Sequence, residues 1–297
     1  MYLKTPVFTG SAAALVTPYD EKGIDYALLT RVVERQIEGG TAALVICATT
    51  GEAPVLTDAE RTLLIGYCVR QAAGRVKIVA GVGGNNTEKA AEAAREAEIL
   101  GADAVMLTAP YYNKATDEGL YRHFTRVADS TALPLIVYNV PGRTAIGCRA
   151  ELYARLAEHP RISGIKEASG DVSLVSRTMR LCGDEMNVWS GNDDQTLPIM
   201  ALGGKGVISV AANVTPDGMA ELCSVCLAGD YPRARQLHER LSPLFDALFA
   251  QVNPVQVKTA LELLGLDHGV YRLPLCPPAE EYRAQLESCL RALSLIP

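Results

Sequence analysis

A closed α/β barrel of eight strand–helix units, the (β/α)8 TIM barrel with a C-terminal helical extension, is the fold predicted by this sequence. Three observations point to it. Eight short apolar, β-rich runs recur along the first part of the chain. Most are followed by an amphipathic segment, and their centres lie roughly 20–35 residues apart, the repeat of a βα unit. Several runs are apolar on both faces, as strands of a parallel sheet covered by helices must be.

Taken in order, the runs are SAAALVTP (11–18), AALVICATT (42–50), VKIVAGVG (76–83), ADAVMLTAP (102–110), LPLIVYNVP (133–141), ISGIKEAS (162–169), NVWSGND (187–193) and GVISVAAN (206–213). The clearest helix between them is TEKAAEAAREAEILG (87–101). Thr87 is its expected N-cap, and Gly101 sits where a left-handed residue would end it. An open doubly wound sheet is the alternative. It would want a G-x-G-x-x-G turn after the first strand, and GSAAALVTPYD carries none. From about Val214 the strand signals stop, and EYRAQLESCLRALSL is plainly amphipathic. The expected organisation is therefore residues 1–213 as barrel and 214–297 as a helical extension packed on it, with no Pro/Gly/Ser linker between them.

Composition narrows the partners. Of 297 residues, 48% are apolar and 21% charged, enough to build a large core. The net charge of −6 and the lack of a Lys/Arg-rich run argue against nucleic acid or a membrane surface as the main partner. MYLKTPVFTG has no apolar targeting core, and no run is long enough to span a bilayer, so the cytoplasm is the expected location. The eight cysteines lack metal-site spacing. Cys223 and Cys226 share a helical stretch, and all eight read as small core residues.

In such a barrel, chemistry is carried at the C-terminal ends of the strands and in the loops that follow. Those positions hold Thr49, Thr50, Gly51 and Glu52 after the second strand, and Tyr111, Tyr112 and Asn113 after the fourth. Tyr138, Asn139 and Arg143 follow the fifth, Lys166 and Glu167 lie on the sixth, Gly191, Asn192 and Asp193 follow the seventh, and Ser209 and Asn213 belong to the eighth. Lys166 is the anomaly, a lysine inside a run that otherwise reads as buried. Desolvation disfavours its charged form, and a neutral lysine at physiological pH is a nucleophile for a carbonyl carbon. The structural alternative is a strand-end lysine paired with Glu167. The other lysines lie in loops, on helices or at strand starts, and Lys258 lies in the helical extension. The four histidines are scattered and none ends a strand, so no metal and no other cofactor is expected. GVGGNNT (81–87) is a weak phosphate-loop signal and reads better as a turn.

Taken together, the opening GSAAALVTPYDEKGID, TTGE at 49–52, PYYN at 110–113, YNVPGRT at 138–144, GIKEASGD at 164–171 and GGKGVISVAAN at 203–213 resemble the dihydrodipicolinate synthase / N-acetylneuraminate lyase family over nearly the whole chain. The resemblance implies that Lys166 forms an imine with pyruvate, and that Tyr138 shuttles protons for it through a hydroxyl relay with Thr49 and Tyr112. Tyr112 would arrive from a neighbouring subunit of a homotetramer built as a dimer of tight dimers. It also implies that Thr50 and the amides around Gly51 hold the pyruvate carboxylate, that Gly191 and the Ile208 backbone line the pyruvate side, and that Arg143 holds the carboxylate of a second substrate. Thr49-Thr50 and Arg143 match the synthase branch, which condenses pyruvate with aspartate-4-semialdehyde to 4-hydroxy-tetrahydrodipicolinate on the way to lysine and diaminopimelate. The alternatives are another pyruvate-dependent class I aldolase or a keto-sugar-acid lyase or dehydratase. The resemblance further maps a lysine effector pocket onto Ala53, Pro54, Asp58, Arg61, Asn85, Lys89 and Tyr111. Lys89 stands where lysine-sensitive relatives have a carboxylate, so weak or absent feedback inhibition is expected.

Overall fold

The computed structural model describes residues 4–297; Met1, Tyr2 and Leu3, part of the segment read for a targeting signal, lie outside the described residues. Eight parallel strands close into a barrel in sequence order: β1 (Gly10–Ala14), β2 (Ala43–Ile46), β3 (Lys77–Gly81), β4 (Ala104–Thr108), β5 (Leu135–Asn139), β6 (Ile162–Glu167), β7 (Asn187–Ser190) and β8 (Gly206–Ser209), with β8 pairing back onto β1. Seven strands fall inside the apolar runs, and β1 starts one residue before its run, at Gly10. A helix follows each; the last, Pro216–Leu227, packs against β1 and β8. Beyond it come Tyr231–Phe249, Val255–Leu263 and Glu280–Ala292, the first lying across Pro216–Leu227 and the last packing on both other helices. No helix among the described residues is long and apolar enough to cross a membrane.

The double-sided apolar pattern has a simple geometric outcome. One face of each strand joins the ring of helices in a large core that includes Leu44, Ile78, Leu107 and Val137. The other face fills the barrel with a second cluster: Ala12, Ala14, Ala43, Val45, Ala104, Ile136, Tyr138, Trp189 and Ile208. The inward residues of β1, Ala12 and Ala14, are small, and the bulky Trp189 enters the same cluster from β7. An added Cβ at Gly164 would lie 2.6 Å from the indole, so β6 can pass Trp189 only with glycine there. Phe8 stacks on the indole at 5.0 Å, and its carbonyl accepts the indole N–H at 3.2 Å. That plug leaves the C-terminal half of the barrel to the polar residues.

Two sequence expectations are corrected. The helix Thr87–Ile99 is capped by Asn86, whose side chain accepts the Lys89 N–H, while the Thr87 hydroxyl meets His123 Nδ1 at 2.9 Å. Asn is as good a cap as Thr, and the register of the turn decides between them. Gly101 does take the left-handed conformation just beyond the helix, at φ +87°. Among the cysteines, six are buried, Cys223 and Cys226 among them, but Cys276 is exposed and Cys289 half-buried, so these two are not core residues.

Candidate active site

The strand ends bring the predicted residues to one mouth of the barrel. Cross-strand register sets Tyr138 on β5 beside Lys166 on β6, and Lys166 beside Trp189 on β7. All three face the barrel interior. Lys166 is 4% exposed, with Nζ 4.3 Å from the centre of the Tyr138 ring. Burial lowers its pKa to about 7; the Arg143 guanidinium adds to the lowering, and the Asp193 carboxylate opposes it. The pairing with Glu167 does not occur. The Glu167 carboxylate turns away to accept from Asn139 Nδ2 (2.9 and 3.1 Å), the Tyr153 hydroxyl (2.9 Å) and the Ser169 N–H (2.8 Å). Lys166 therefore has no carboxylate in contact, and its amine is free to lose a proton near neutrality.

Tyr138 is buried, which raises its pKa; Thr49, facing the phenol, and the Arg143 guanidinium pull it back. A phenol so placed can pass a proton to and from an amine. Thr49 and Arg143 line a cavity of about 390 Å³ at the barrel mouth, with Ala48, Met106, Val140 and Thr144. Arg143 sits in the short helix Pro141–Thr144 directly after β5, and its Nη2 donates to the Asn253 carbonyl at 3.1 Å, which aims the guanidinium.

Thr50 is buried, and its hydroxyl oxygen accepts from Asn253 Nδ2 at 3.1 Å. The hydroxyl proton is thereby left to donate elsewhere, as an anion site needs. Gly51 is held by the Thr17 hydroxyl on its carbonyl at 2.8 Å, and an added Cβ would meet the Leu15 carbonyl at 3.0 Å. Gly191 directly follows β7; its N–H binds the Glu167 carbonyl at 2.7 Å, and a Cβ there would collide with Ala168 at 2.6 Å. Ile208 lies fully buried on β8 inside the barrel. Cys47 and Glu52, flanking the threonines, both carry φ of +57° without being glycine, a local strain typical of binding loops.

Tyr112 is not brought in. Its side chain is 92% exposed with φ +70°, and it does not line the cavity at the mouth, whereas Tyr111 does. Asn113 Nδ2 donates to the Asn85 carbonyl, and Asn213 ties β1 to β8 through Val16 N–H and the Ala14 carbonyl. Both are structural.

Sequence reasoning missed two contributors. Asn253, on the segment before Val255–Leu263, touches both Arg143 and Thr50 from about 110 and 200 residues away, and no strand-end rule could find it. Asp193 is visible in the sequence only as a residue that follows a strand. It is buried, accepts from Ser209 Oγ (2.5 Å), Val210 N–H (3.1 Å) and Ala211 N–H (2.9 Å), and its negative charge favours the protonated form of Lys166. Burial raises its own pKa, which the Ser209, Ala211 and Val210 bonds and Lys166 oppose. Asp193→Asn should lower the Lys166 pKa further and move the acid limb of the pyruvate trapping rate to lower pH; a limb that stays in place would show that the carboxylate is not felt by the amine.

The profile described as the dihydrodipicolinate synthetase family matches residues 7–293. A 4-hydroxy-tetrahydrodipicolinate synthase of Thermodesulfovibrio yellowstonii is 47% identical, with 98% of this chain and all of the relative covered. The chloride-inhibited dihydrodipicolinate synthase of Acinetobacter baumannii, solved in complex with pyruvate, superposes with a TM-score of 0.95 at 44% identity, covering 97% of this chain and all of that one. The enzyme of Cyanidioschyzon merolae, solved with lysine bound, does so at 0.95 and 35% identity, covering 98% and 100%.

Proposed function

The chain belongs to the dihydrodipicolinate synthetase family, and from that premise we propose how its pocket is used. It is a 4-hydroxy-tetrahydrodipicolinate-forming lyase of lysine and diaminopimelate biosynthesis, joining pyruvate to aspartate-4-semialdehyde. The neutral Lys166 amine adds to C2 of pyruvate, and loss of water gives the imine. Removal of a C3 proton makes the enamine, whose C3 attacks the aldehyde carbon. The amino group of the second substrate then displaces Lys166 from C2 and closes the ring, returning the free amine. Tyr138 and Thr49 carry protons for these steps. Thr50 and the Gly51 turn hold the pyruvate carboxylate, Gly191 and Ile208 bound the pyruvate side, and Arg143 takes the carboxylate of the aldehyde by a two-point hydrogen bond. The observation that carries the reading is Lys166 itself, buried beside Tyr138 with a pKa of about 7. Pyruvate and aspartate-4-semialdehyde, coupled to the next reductase of the pathway, should give steady turnover. Turnover with keto sugar acids and none with the semialdehyde would favour the sugar-acid lyase branch instead.

The exposure of Tyr112 supports a shared site in a homotetramer of tight dimers, in which Tyr112 completes the neighbour's relay with Thr49 and Tyr138. Mixing inactive Tyr112→Phe with inactive Lys166→Ala subunits should restore part of the activity, since each mixed dimer holds one complete site. No recovery despite demonstrated subunit exchange would count against sharing.

Feedback by lysine is weak or absent in this reading. A cavity of about 420 Å³ is lined by Asp58, Arg61, Asn85, Lys89, Glu96 and Tyr111. The cations Arg61 and Lys89 would repel a ligand ammonium there, on a lining they share with the carboxylates of Asp58, Glu92 and Glu96. Glu88, the neighbour of Lys89 in sequence, does not line the cavity and is committed to Arg126 at 2.7 and 3.0 Å. Titrating lysine at subsaturating pyruvate should leave activity unchanged below millimolar concentrations, and clear inhibition there would refute the expectation.

A further inference from the structure

We infer that the buried ion pair of Glu52 with Lys258 is the tether by which the helical extension holds the carboxylate-binding turn, making both residues positioning residues for pyruvate. The inference rests on the reading of Thr50 and Gly51 as that turn. Glu52 ends the Thr49–Glu52 loop, and Lys258 lies on the helix Val255–Leu263, about 200 residues further along. Both side chains are completely buried, with Nζ 2.8 Å from Oε1. The ammonium uses its donors fully, on Glu52, on the Val270 carbonyl at 2.7 Å and on the Thr17 carbonyl at 3.4 Å, and it lies 4.4 Å from the centre of the Tyr19 ring.

The arrangement around the pair gives it direction. Thr17 binds Lys258 through its carbonyl and Gly51 through its hydroxyl, so one residue links the ammonium to the turn. Five residues before Lys258, Asn253 holds Thr50 by its amide and Arg143 by its carbonyl. A single segment, 253–258, thus grips the turn at Thr50 and Glu52 and steadies Arg143. The turn needs such a grip because Glu52 is held at φ +57° without being glycine, a conformation that reverts unless its surroundings impose it. A buried ion pair is poor evidence for stability in itself, because desolvation offsets the attraction. Its value here is geometric: neither end can leave without stranding the other.

The test is pyruvate half-saturation, read by borohydride trapping of Lys166 and by steady-state KM, in Lys258→Met and in the double variant Glu52→Gln with Lys258→Met. The double variant removes both charges and so avoids a stranded carboxylate. In either folded variant, half-saturation by pyruvate should rise about 10- to 100-fold, the scale of a misplacement of roughly 1 Å at a binding group, while the KM for the aldehyde changes less than about 3-fold. The double variant should regain thermal stability relative to Lys258→Met without regaining pyruvate affinity. Unchanged pyruvate half-saturation in a folded variant overturns the inference. So does the absence of folded protein from both variants, since the pair would then serve the barrel and not the turn. Thr50→Val separates the two readings: if it raises pyruvate half-saturation and the pair variants do not, only the tether fails; if it leaves half-saturation unchanged, the assignment of the turn fails and the tether with it.

Discussion

Borohydride added with pyruvate should trap a covalent adduct on Lys166, and Lys166→Ala should abolish both trapping and turnover. The size of the expected effect follows from the protonation state. An ordinary lysine, with a pKa near 10.4, is neutral in only about one molecule in a few thousand at pH 7. At a pKa of about 7, Lys166 is neutral in about half. Its burial beside Tyr138 therefore supplies about three orders of magnitude of reactive amine before any orientation is counted. The sign of the pH dependence is fixed by the same shift. As pH falls through about 7 the folded enzyme protonates Lys166 and imine formation declines, whereas an unshifted lysine would keep declining from pH 10 downward. Lys166→Arg should be as inactive as the alanine variant, because a guanidinium stays charged. Peptide mapping decides the matter; an adduct on another lysine, or none, sinks the mechanism.

Arg143→Ala should damage use of the aldehyde far more than imine formation. Arg143 lines the mouth cavity and is aimed by the Asn253 carbonyl, so its guanidinium is presented with little conformational freedom left to lose. A charge-assisted hydrogen bond is worth about 1.5–3 kcal/mol, which corresponds to a loss of about 10- to 150-fold in kcat/KM for the aldehyde. The side chain also lowers the pKa of Lys166 and of Tyr138. Its removal should therefore shift the acid limb of trapping upward, an effect that disappears when trapping is measured well above pH 7. Trapping by pyruvate that still falls as far as turnover at that pH would mean that Arg143 serves the first substrate.

The barrel and most of the candidate site were legible in the amino-acid sequence because both follow local rules. Strands buried on both faces leave continuous apolar runs, and a barrel's chemistry sits where those runs end. Lys166 stood out because a lysine in such a run breaks the pattern. What its position alone left open was whether Glu167 neutralised it. That depended on where the Glu167 side chain turned, and Tyr153, Asn139 and Ser169 took it. The N-cap of the helix Thr87–Ile99 went to Asn86 because a one-residue choice between two good caps is made by the path of the chain out of β3. The exposure of Cys276 likewise depended on how the segment around it lies on the surface.

Lys258 shows the limit most clearly. Its sequence context is that of any lysine on an amphipathic helix, yet it is completely buried against Glu52. Asn253 reaches Thr50 and Arg143 in the same way. Periodicity reports which side of an element faces a core, since that depends on neighbours within a few residues. Which polar group meets which across some 200 residues is decided only when the barrel closes and the extension docks, because the partner of a buried charge is chosen by the packing of elements far apart in the chain.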